Sequence, residues 1–346
     1  MWEKKEKLQA RDLALCQGLG GSIWNSLKGL SRTLGPFLII PMILYRFIIA
    51  WRERQNRHLL YGKVVMVTGA SSGIGEALAG EFYRAGCKVI LAARRENELE
   101  RVRKSILTSH CTLPAFPPVV LSLDLSDLNT LASKVDVAKC IHGRIDILVN
   151  NGGTSFRGQV CDTELDVDIK VLLVNYLGQV ALTKAVLPVM LSQGEGHIVM
   201  VSSIQGRIAI PQRSCYAASK HALQAFSDCL RAEVEERNVK VTVVNPGYVH
   251  TNLSLNALTA KGSCHGVMDE TTAEGMSPEE VAREIVAAVV MRKREVTVAT
   301  FLPKVAVWIR TLFPSLYFYI MRNRAARLRE KEEGLEKTFT INGIPS

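Results

Sequence analysis

Residues 63–80 read KVVMVTGASSGIGEALAG, and their pattern changes half-way along. The first part is a short, continuous apolar run of the β-branched sort, which is typical of a strand buried on both faces of a sheet. Glycines follow at once, and from Glu76 to Ala85 the apolar residues take helical spacing. The stretch therefore predicts a buried strand that turns through glycines into a helix, the first unit of an α/β fold.

The same alternation continues along the chain. Another helix opens at Ser277 with a capping box and a proline at its first position. Alternating short buried strands and helices predict one doubly wound parallel sheet of the Rossmann type, a single domain over residues 58–300. The strand-like runs after the first lie at 87–94, 119–123, 145–150, 197–202, 240–245 and 295–300.

Composition narrows the functional class. With 346 residues, 47% hydrophobic and 22% charged, the chain is globular, and its 43 basic residues exceed its 33 acidic ones. The excess lies at the two ends while the middle is near neutral, so a nucleic-acid partner is not expected. The 8 cysteines have no zinc-ligand spacing, so no metal site is expected and they are interpreted as free, mostly buried thiols.

Both ends indicate a membrane. After a basic segment, residues 1–33, the run LGPFLIIPMILYRFIIAW at 34–51 is long enough for a tilted transmembrane anchor and has basic residues on both sides. A buried helix is the alternative. The extension at 301–346 begins with apolar and aromatic residues interrupted by Lys304 and Arg310 and then becomes basic. It suits a segment lying in lipid headgroups, or a hydrophobic lid docked on the protein.

The loop after the first strand is suited to a pyrophosphate. Its glycines permit a tight turn and close backbone approach, and the first amides of the helix can donate hydrogen bonds, aided by two serine hydroxyls. This pattern predicts a dinucleotide site at the carboxyl ends of the strands. The residues predicted to bind cofactor here are Gly69, Ser71, Ser72, Gly73 and Gly75.

The second strand ends in arginines where NAD-binding folds usually place a carboxylate. Arg94 is predicted to bind a 2′-phosphate, with Arg95 in support, so NADP(H) is the preferred cofactor and NAD(H) a possible one. A solvated pair at a helix start is the alternative. Two further strand ends are predicted to meet the cofactor or to form turns, at Asp124 with Leu125 and at Asn151 with Gly152.

Tyr216 and Lys220 are one helical turn apart and therefore share a face. A phenol with a pKa of about 10 is a poor base at neutral pH, but a nearby ammonium, together with the positive nicotinamide ring of an oxidised cofactor, favours phenolate and lowers that pKa. Ser203, at a strand end, has a hydroxyl that can hydrogen-bond a substrate oxygen.

Together these motifs resemble the short-chain dehydrogenases/reductases over about 240 residues, in the right order and spacing. The resemblance implies a general acid/base role for Tyr216, and for Lys220 the roles of pKa partner and ribose ligand. Ser203 would donate to the substrate oxygen, and Asn175 would hold a water that links Lys220 to solvent. The matching motifs are TGxxxGxG (68–75), NNxG (150–153), Asn175, Ser203, YxxxK (216–220) and PGxxxT (246–251).

The resemblance also implies further cofactor contacts. Thr251, with Val249 beside it, would bind the nicotinamide carboxamide, and Ser72 and Ile74 would lie against the cofactor through the loop backbone. Gly152 departs from the family, which usually has alanine there, and the missing methyl is expected to loosen the site.

These features favour a membrane-anchored oxidoreductase that interconverts a lipophilic ketone and a secondary alcohol, such as a steroid, retinoid or lipid intermediate. The family resemblance implies a substrate loop at 252–276, and this segment has the apolar residues Leu253, Leu255, Leu258, Val267 and Met268. The endoplasmic reticulum is the predicted membrane, with the peroxisomal membrane as the alternative, and the family implies a homodimer or homotetramer through the Tyr216 helix and its predecessor. A non-catalytic nucleotide-binding scaffold is the alternative function.

Overall fold

A computed structural model describes Leu44, Phe47, Ile48 and residues 51–109 and 116–341, with side chains through residue 330. The predicted basic segment 1–33 lies outside the described residues. So does most of the predicted anchor at 34–51, of which only Leu44, Phe47, Ile48 and Trp51 are described, all four of them exposed. The anchor therefore stays a prediction.

Seven parallel strands form the main sheet, and each of the predicted runs contributes one of them. The strands are β1 (Val64–Thr68), β2 (Lys88–Ala93), β3 (Val119–Ser122), β4 (Ile147–Asn150), β6 (Gly196–Val201), β7 (Val239–Pro246) and β9 (Glu295–Val298). Their spatial order is β3-β2-β1-β4-β6-β7-β9, so the chain winds outward in both directions from β1 and β4. The predicted doubly wound parallel sheet is thereby confirmed.

Helices cover both faces of this sheet because successive strand residues point to opposite sides. On β1, Val65 and Val67 pack with α1 (Gly73–Arg84), α2 (Glu96–Ser109) and α8 (Pro278–Val290). Val64 and Met66 pack with α3 (Leu131–His142), α5 (Gly178–Gln193) and α6 (Ser214–Val234) on the other face. A short helix, α7 (Glu270–Ala273), precedes α8. The predicted capping box is present at Ser277, whose hydroxyl accepts from the amide of Glu280.

One helical stretch in the described part of the chain, Leu165–Gln193, is long and apolar enough to cross a membrane. It comprises α4 (Leu165–Leu172), a π-helical turn (Leu173–Leu177) and α5. Leu182, Val186 and Met190 of α5 are fully buried in the core on one face of the sheet. Core packing therefore explains much of its hydropathy.

Two helices that contact each other follow the sheet, α9 (Phe301–Leu312) and α10 (Pro314–Ile341), and we call this pair the C-terminal hairpin. Tyr317 is buried against Ile204 and Ile208, and its hydroxyl donates to the carbonyl of Ala209. One side of the extension thus docks on the protein, as in the lid alternative, while large apolar residues on the rest of it are exposed.

The described cysteines are all free thiols, as expected, but the expectation that most are buried is wrong. Cys87 and Cys215 are buried, whereas Cys140, Cys161, Cys229 and Cys264 are exposed. Cys215 packs with Phe156 and Tyr216, and burial raises the pKa of its thiol to about 12. Its thiol is therefore held in the protonated, unreactive form.

Candidate active site

A cleft of about 580 Å³ lies at the carboxyl ends of the central strands. It extends from the end of β2, past the glycine loop, to the β6 and β7 ends and the loop beyond. All the predicted site residues line it except Gly75 and Asn175, which lie behind its wall. The fold thus brings together groups that are far apart in the sequence.

The glycine loop owes its shape to positions where a side chain does not fit. Gly69 and Gly73 have φ of 65° and 59°, the left-handed region that favours glycine. A Cβ on Gly75 would lie 2.2 Å from the carbonyl oxygen of Gly69, so Gly75 lets the loop fold back on the helix start. The first amides of α1 have no acceptor within the helix, and they remain available for an anion.

Thr68, the last residue of β1, ties this loop to the end of β4. Its hydroxyl donates to the carbonyl of Val149 at 3.1 Å and accepts from the amides of Asn151 and Gly152, each at 3.0 Å. The Asn151 side chain donates in turn to the Thr68 carbonyl at 3.0 Å. Sequence reasoning did not assign this role to Thr68, although its place at the strand end was a signal.

Gly152 does not leave the site loose, contrary to the expectation from its missing methyl. A Cβ there would lie 2.7 Å from Cδ1 of Leu125, so the leucine already fills that space. Leu125 is buried, and Asp124 beside it accepts hydrogen bonds from the amide and the hydroxyl of Ser126.

The arginines at the end of β2 are exposed and differ in their contacts. Arg95 donates to the hydroxyl of Ser71 at 3.1 Å, while no described residue pairs with Arg94. Arg101, which sequence reasoning missed, pairs with Glu76 and lies 3.4 Å from the Ser71 carbonyl. This end of the cleft therefore has an unpaired cation beside the glycine loop.

Tyr216, Lys220 and Ser203 are buried together at the other end of the cleft. The Lys220 ammonium donates to the Val201 carbonyl at 3.0 Å and lies 5.8 Å from the centre of the Tyr216 ring. Ser203 begins a 3₁₀ turn at the end of β6, and its hydroxyl accepts from the amide of Gln205 at 3.1 Å. The predicted spacing thus places all three groups on one cleft.

The expected lowering of the tyrosine pKa is not found among the protein's own groups. Burial raises the pKa of Tyr216, and the hydrogen bond of Ser203 and the charges of Arg157 and Arg213 oppose it only in part. Burial also lowers the pKa of Lys220 to about 8. At neutral pH the site therefore holds a protonated phenol next to an amine that is still mostly charged.

Asn175 lies in the π-helical turn between α4 and α5, a local irregularity often found at functional sites. Its side chain accepts from the Thr154 amide at 2.8 Å and donates to the Thr154 carbonyl at 2.9 Å and the Ser219 hydroxyl at 3.1 Å. A Cβ on Gly153 would lie 3.0 Å from its Oδ1 and 3.8 Å from Nζ of Lys220, so the amide lies near the lysine.

The segment after β7 returns to the glycine loop. The methyl of Thr251 is placed 3.0 Å from where a Cβ on Gly73 would lie, and Val249 forms a bridge to Met276. Of the five apolar residues in the expected substrate loop, Leu253 and Leu258 line the cleft, and Val267 is exposed.

Two short strands join the segment after β7 to the segment after β4. β5 (Phe156–Arg157) pairs in parallel with β8 (Leu258–Thr259), a second small sheet that the sequence pattern did not predict. Polar residues missed by sequence reasoning face the cleft here, so the substrate end is amphipathic. They are Thr154, Ser155, Arg157, Lys170, Gln205, Tyr248, Asn252, Ser254, Asn256 and Thr272.

A shared carboxylate joins three parts of this region. Asp269 accepts from Nε of Arg157 at 2.8 Å, from Arg213 at 3.1 Å and from the Ser254 hydroxyl at 2.9 Å. Burial would raise the pKa of Asp269, but its hydrogen bonds to Arg157 and Ser254 and the charge of Arg213 lower it overall. Burial, with the charge of Arg157, lowers the pKa of Arg213 to about 9. Two cations thus converge on one anion near Tyr216.

These residues fit a nicotinamide dinucleotide. The glycine loop leaves backbone free for a pyrophosphate, cations lie at one end, and the phenol, hydroxyl and ammonium lie at the other. The buried Oε1 of Gln205 has no partner in the described structure, although Gln205 lines the cleft beside Ser203.

The family model for short chain dehydrogenases matches residues 63–261, more than half of the chain. The chain belongs to the short-chain dehydrogenase/reductase family. It is therefore an NAD(P)-dependent oxidoreductase, and the family resemblance read from its motifs is confirmed.

Curated members of this family are similar in sequence to most of the chain. The chain is 55% identical over 291 residues to a dehydrogenase/reductase SDR family protein 7-like of Anopheles gambiae, which covers 84% of this chain and 92% of that protein. It is 46% identical over 301 residues to dehydrogenase/reductase SDR family member 7B of Mus musculus, which covers 87% of this chain and 93% of the relative.

Solved structures share the fold at lower identity. A short chain dehydrogenase/reductase from Burkholderia phymatum, in complex with NAD, superposes with a TM-score of 0.65 at 23% identity, over 74% of this chain and 95% of that one. An alcohol dehydrogenase from Thermococcus sibiricus, complexed with 5-hydroxy-NADP, superposes with a TM-score of 0.59 at 22% identity, over 68% of this chain and 96% of that one.

Gly75→Ala and Gly152→Ala are expected to differ sharply. The new methyl at Gly75 meets backbone, so the loop has to shift, with a loss of about 1 to 3 kcal/mol in unfolding free energy and weaker cofactor binding. At Gly152 it meets only the end of the Leu125 side chain, so the loss is below about 1.5 kcal/mol. Denaturant unfolding and cofactor titration measure both. Similar effects of the two substitutions would contradict this account of the loop.

Asp269→Asn is expected to loosen residues 252–276, because it leaves Arg157 and Arg213 close together without a counter-charge. We expect a loss of about 1 to 3 kcal/mol in unfolding free energy and faster proteolysis within this segment. Since the pKa of Asp269 is lowered in the folded protein, its contribution is present at neutral pH and is lost on acidification. Glu274→Gln, an exposed change in the same segment, is the control, and equal proteolysis of the two variants would refute the role of Asp269.

Proposed function

We propose that this protein is a membrane-anchored, NADP(H)-preferring reductase that interconverts a lipophilic ketone and its secondary alcohol, with Tyr216 as the general acid/base. The observation that supports this most strongly is that Tyr216, Ser203 and Lys220 line the same cleft as the glycine loop. A scaffold that only binds nucleotide has no need of a buried phenol, hydroxyl and ammonium at the end of its cleft.

In reduction, the Tyr216 phenol donates its proton to the carbonyl oxygen while the Ser203 hydroxyl donates a hydrogen bond to the same oxygen. The raised pKa of Tyr216 keeps the phenol protonated at neutral pH, which suits a proton donor. A bound nicotinamide supplies the hydride for the carbonyl carbon. In oxidation, the phenolate accepts the proton of the alcohol.

Positive charge near Tyr216 stabilises the phenolate that proton transfer leaves behind. One such charge is the ammonium of Lys220, on the next helical turn. The others are the guanidinium groups of Arg157 and Arg213, which both pair with Asp269. Asn175 lies close to Lys220, and we assign to it a water that returns a proton from solvent to the lysine.

The cofactor preference is argued from the end of β2. Arg94 is exposed, lines the cleft and is unpaired among the described residues, so its guanidinium is free to bind a 2′-phosphate in a bidentate manner. Arg95 is held towards the loop by Ser71. The two structural neighbours were solved with NAD and with 5-hydroxy-NADP, so the fold accommodates both dinucleotides.

The substrate is proposed from the lining of the cleft and from the anchor at 34–51. Leu253, Leu258 and Val174 offer an apolar surface, while Arg157 and Lys170 lie among polar residues beside it. A lipophilic ketone with a polar group fits both surfaces, and the anchor would keep the enzyme at the membrane in which such a substrate dissolves. We propose the endoplasmic reticulum or the peroxisomal membrane, and a homodimer or homotetramer built on α5 and α6.

Tyr216→Phe is expected to lower turnover by about 10²-fold or more, because it removes the proton donor while keeping the ring. NADPH oxidation across a panel of lipophilic ketones measures it, with Tyr61→Phe, an exposed position, as the control. Equal turnover by wild type and Tyr216→Phe would end the catalytic proposal. Tight NADPH binding with no turnover on any ketone would favour the scaffold.

Arg94→Ala is expected to weaken NADPH binding by roughly 10- to 100-fold and to leave NADH binding nearly unchanged, since only NADPH has the 2′-phosphate. Titration with both dinucleotides measures the preference. Lys104→Ala removes another exposed cation, from α2, and controls for general electrostatics. An unchanged preference in Arg94→Ala would exclude Arg94 as the phosphate partner.

A further inference from the structure

The C-terminal hairpin exposes an unusual number of large apolar side chains. Large apolar side chains there have exposed fractions between 41% and 81%, in a stretch of 20 residues. Soluble proteins seldom leave so many together on one surface unless the surface has a binding partner. These residues are Phe301, Leu302, Trp308, Leu312, Phe313, Leu316, Phe318, Tyr319 and Ile320, and we call them the hairpin face.

The hairpin face is not simply an unfolded or frayed end. Tyr317, in the middle of it, is only 2% exposed and packs with Ile204 and Ile208, and Ala306 and Met321 pack against the same cluster. The hairpin is therefore docked on the protein through this cluster, and the residues of the hairpin face lie outside it.

The charged residues along this stretch of the hairpin are all basic. Between Phe301 and Arg329 the chain has no aspartate or glutamate. Two of its cations, Arg310 and Arg322, lie over the rings of Phe318 and Tyr319 at 4.9 and 5.1 Å, where the aromatic and basic groups form a mixed surface. The basic residues of this stretch are Lys304, Arg310, Arg322, Arg324, Arg327 and Arg329.

From this we infer that the hairpin face lies in the headgroup region of an anionic bilayer, as a membrane contact separate from residues 34–51. Apolar and aromatic side chains enter the lipid boundary, and the cations beside them meet anionic headgroups. A second copy of the chain is the less favourable occupant, because pairing two hairpin faces would bring two sets of cations together without an acid between them.

The C-terminal hairpin also lies next to the cleft. Arg324 donates to the hydroxyl of Tyr248 at 3.4 Å, and Tyr248 lines the cleft. α9 packs on the 3₁₀ turn that contains Gln205, which lines the cleft beside Ser203. A bilayer that covers the hairpin face would therefore lie near the cleft, and a lipophilic substrate would have a short path to Tyr216. This last step rests on the proposed function, whereas the membrane contact does not.

Trp308 provides a local probe in the full-length chain. The chain has 4 tryptophans, so the emission of wild type minus that of Trp308→Phe isolates the signal of Trp308 from that of the other three. The full chain is placed in nanodiscs of phosphatidylcholine and phosphatidylserine, with or without bromine on the acyl chains. We expect the Trp308 emission to shift to shorter wavelength and to be quenched by the brominated lipid.

Charge reversal tests whether the basic residues of the hairpin meet anionic headgroups. Arg322→Glu with Arg327→Glu changes two exposed cations of α10 and is expected to remove much of the quenching and to make the remainder insensitive to phosphatidylserine. Lys104→Glu with Lys139→Glu changes net charge equally, on α2 and α3, and is expected to keep the quenching.

Trp308 emission at the wavelength of an exposed indole and unaffected by bromine would overturn the inference. An emission that shifts with protein concentration but is not quenched would assign the face to a second copy and overturn it as well. Turnover of the panel of lipophilic ketones in the same samples separates the two proposals. Quenching without any turnover would reject the proposed function and leave the membrane contact standing, and turnover without quenching would do the reverse.

Discussion

The whole site depends on how closely the backbone after β1 approaches the backbone after β4. A Cβ on Gly69 would lie 2.7 Å from Cα of Gly152, so the two turns touch without side chains between them. The Thr68 hydroxyl joins them by accepting from two amides of the β4 turn. Because β1 and β4 are the strands where the winding reverses, this contact shapes the floor of the crevice in which ligands of such sheets bind.

The chemistry at the far end of the cleft follows from burial. Tyr216 and Lys220 are both nearly excluded from water, and a low-dielectric surrounding disfavours the charged form of each. The phenol therefore keeps its proton, and the pKa of the lysine falls to about 8. Arg157 and Arg213 partly offset this at the tyrosine, although Asp269 holds them primarily as part of the structure around the cleft. One ion cluster thus serves both packing and electrostatics.

The C-terminal hairpin shows how a short apolar sequence can be divided between two surroundings. Tyr317 faces the protein and is buried, whereas Leu316 and Phe318 on either side of it are about half exposed. The docked side fixes the hairpin beside Tyr248 and the cleft, and the other side is left for a lipid surface. Because the same helix has to satisfy both, its composition alone fits a docked lid and a membrane contact equally well.

The local sequence was enough to predict the seven strands, the glycine loop, the basic end of β2 and the Tyr216, Lys220 and Ser203 set, because backbone conformation and spacing are local properties. Long-range packing decided the rest. The pairing of β5 with β8, the Asp269 cluster and the space that Leu125 fills beside Gly152 join residues far apart in the chain. The pKa of Tyr216 is raised in the folded protein for the same reason. Burial is a property of the assembled fold, and here its effect exceeds that of the nearby hydrogen bond and positive charges.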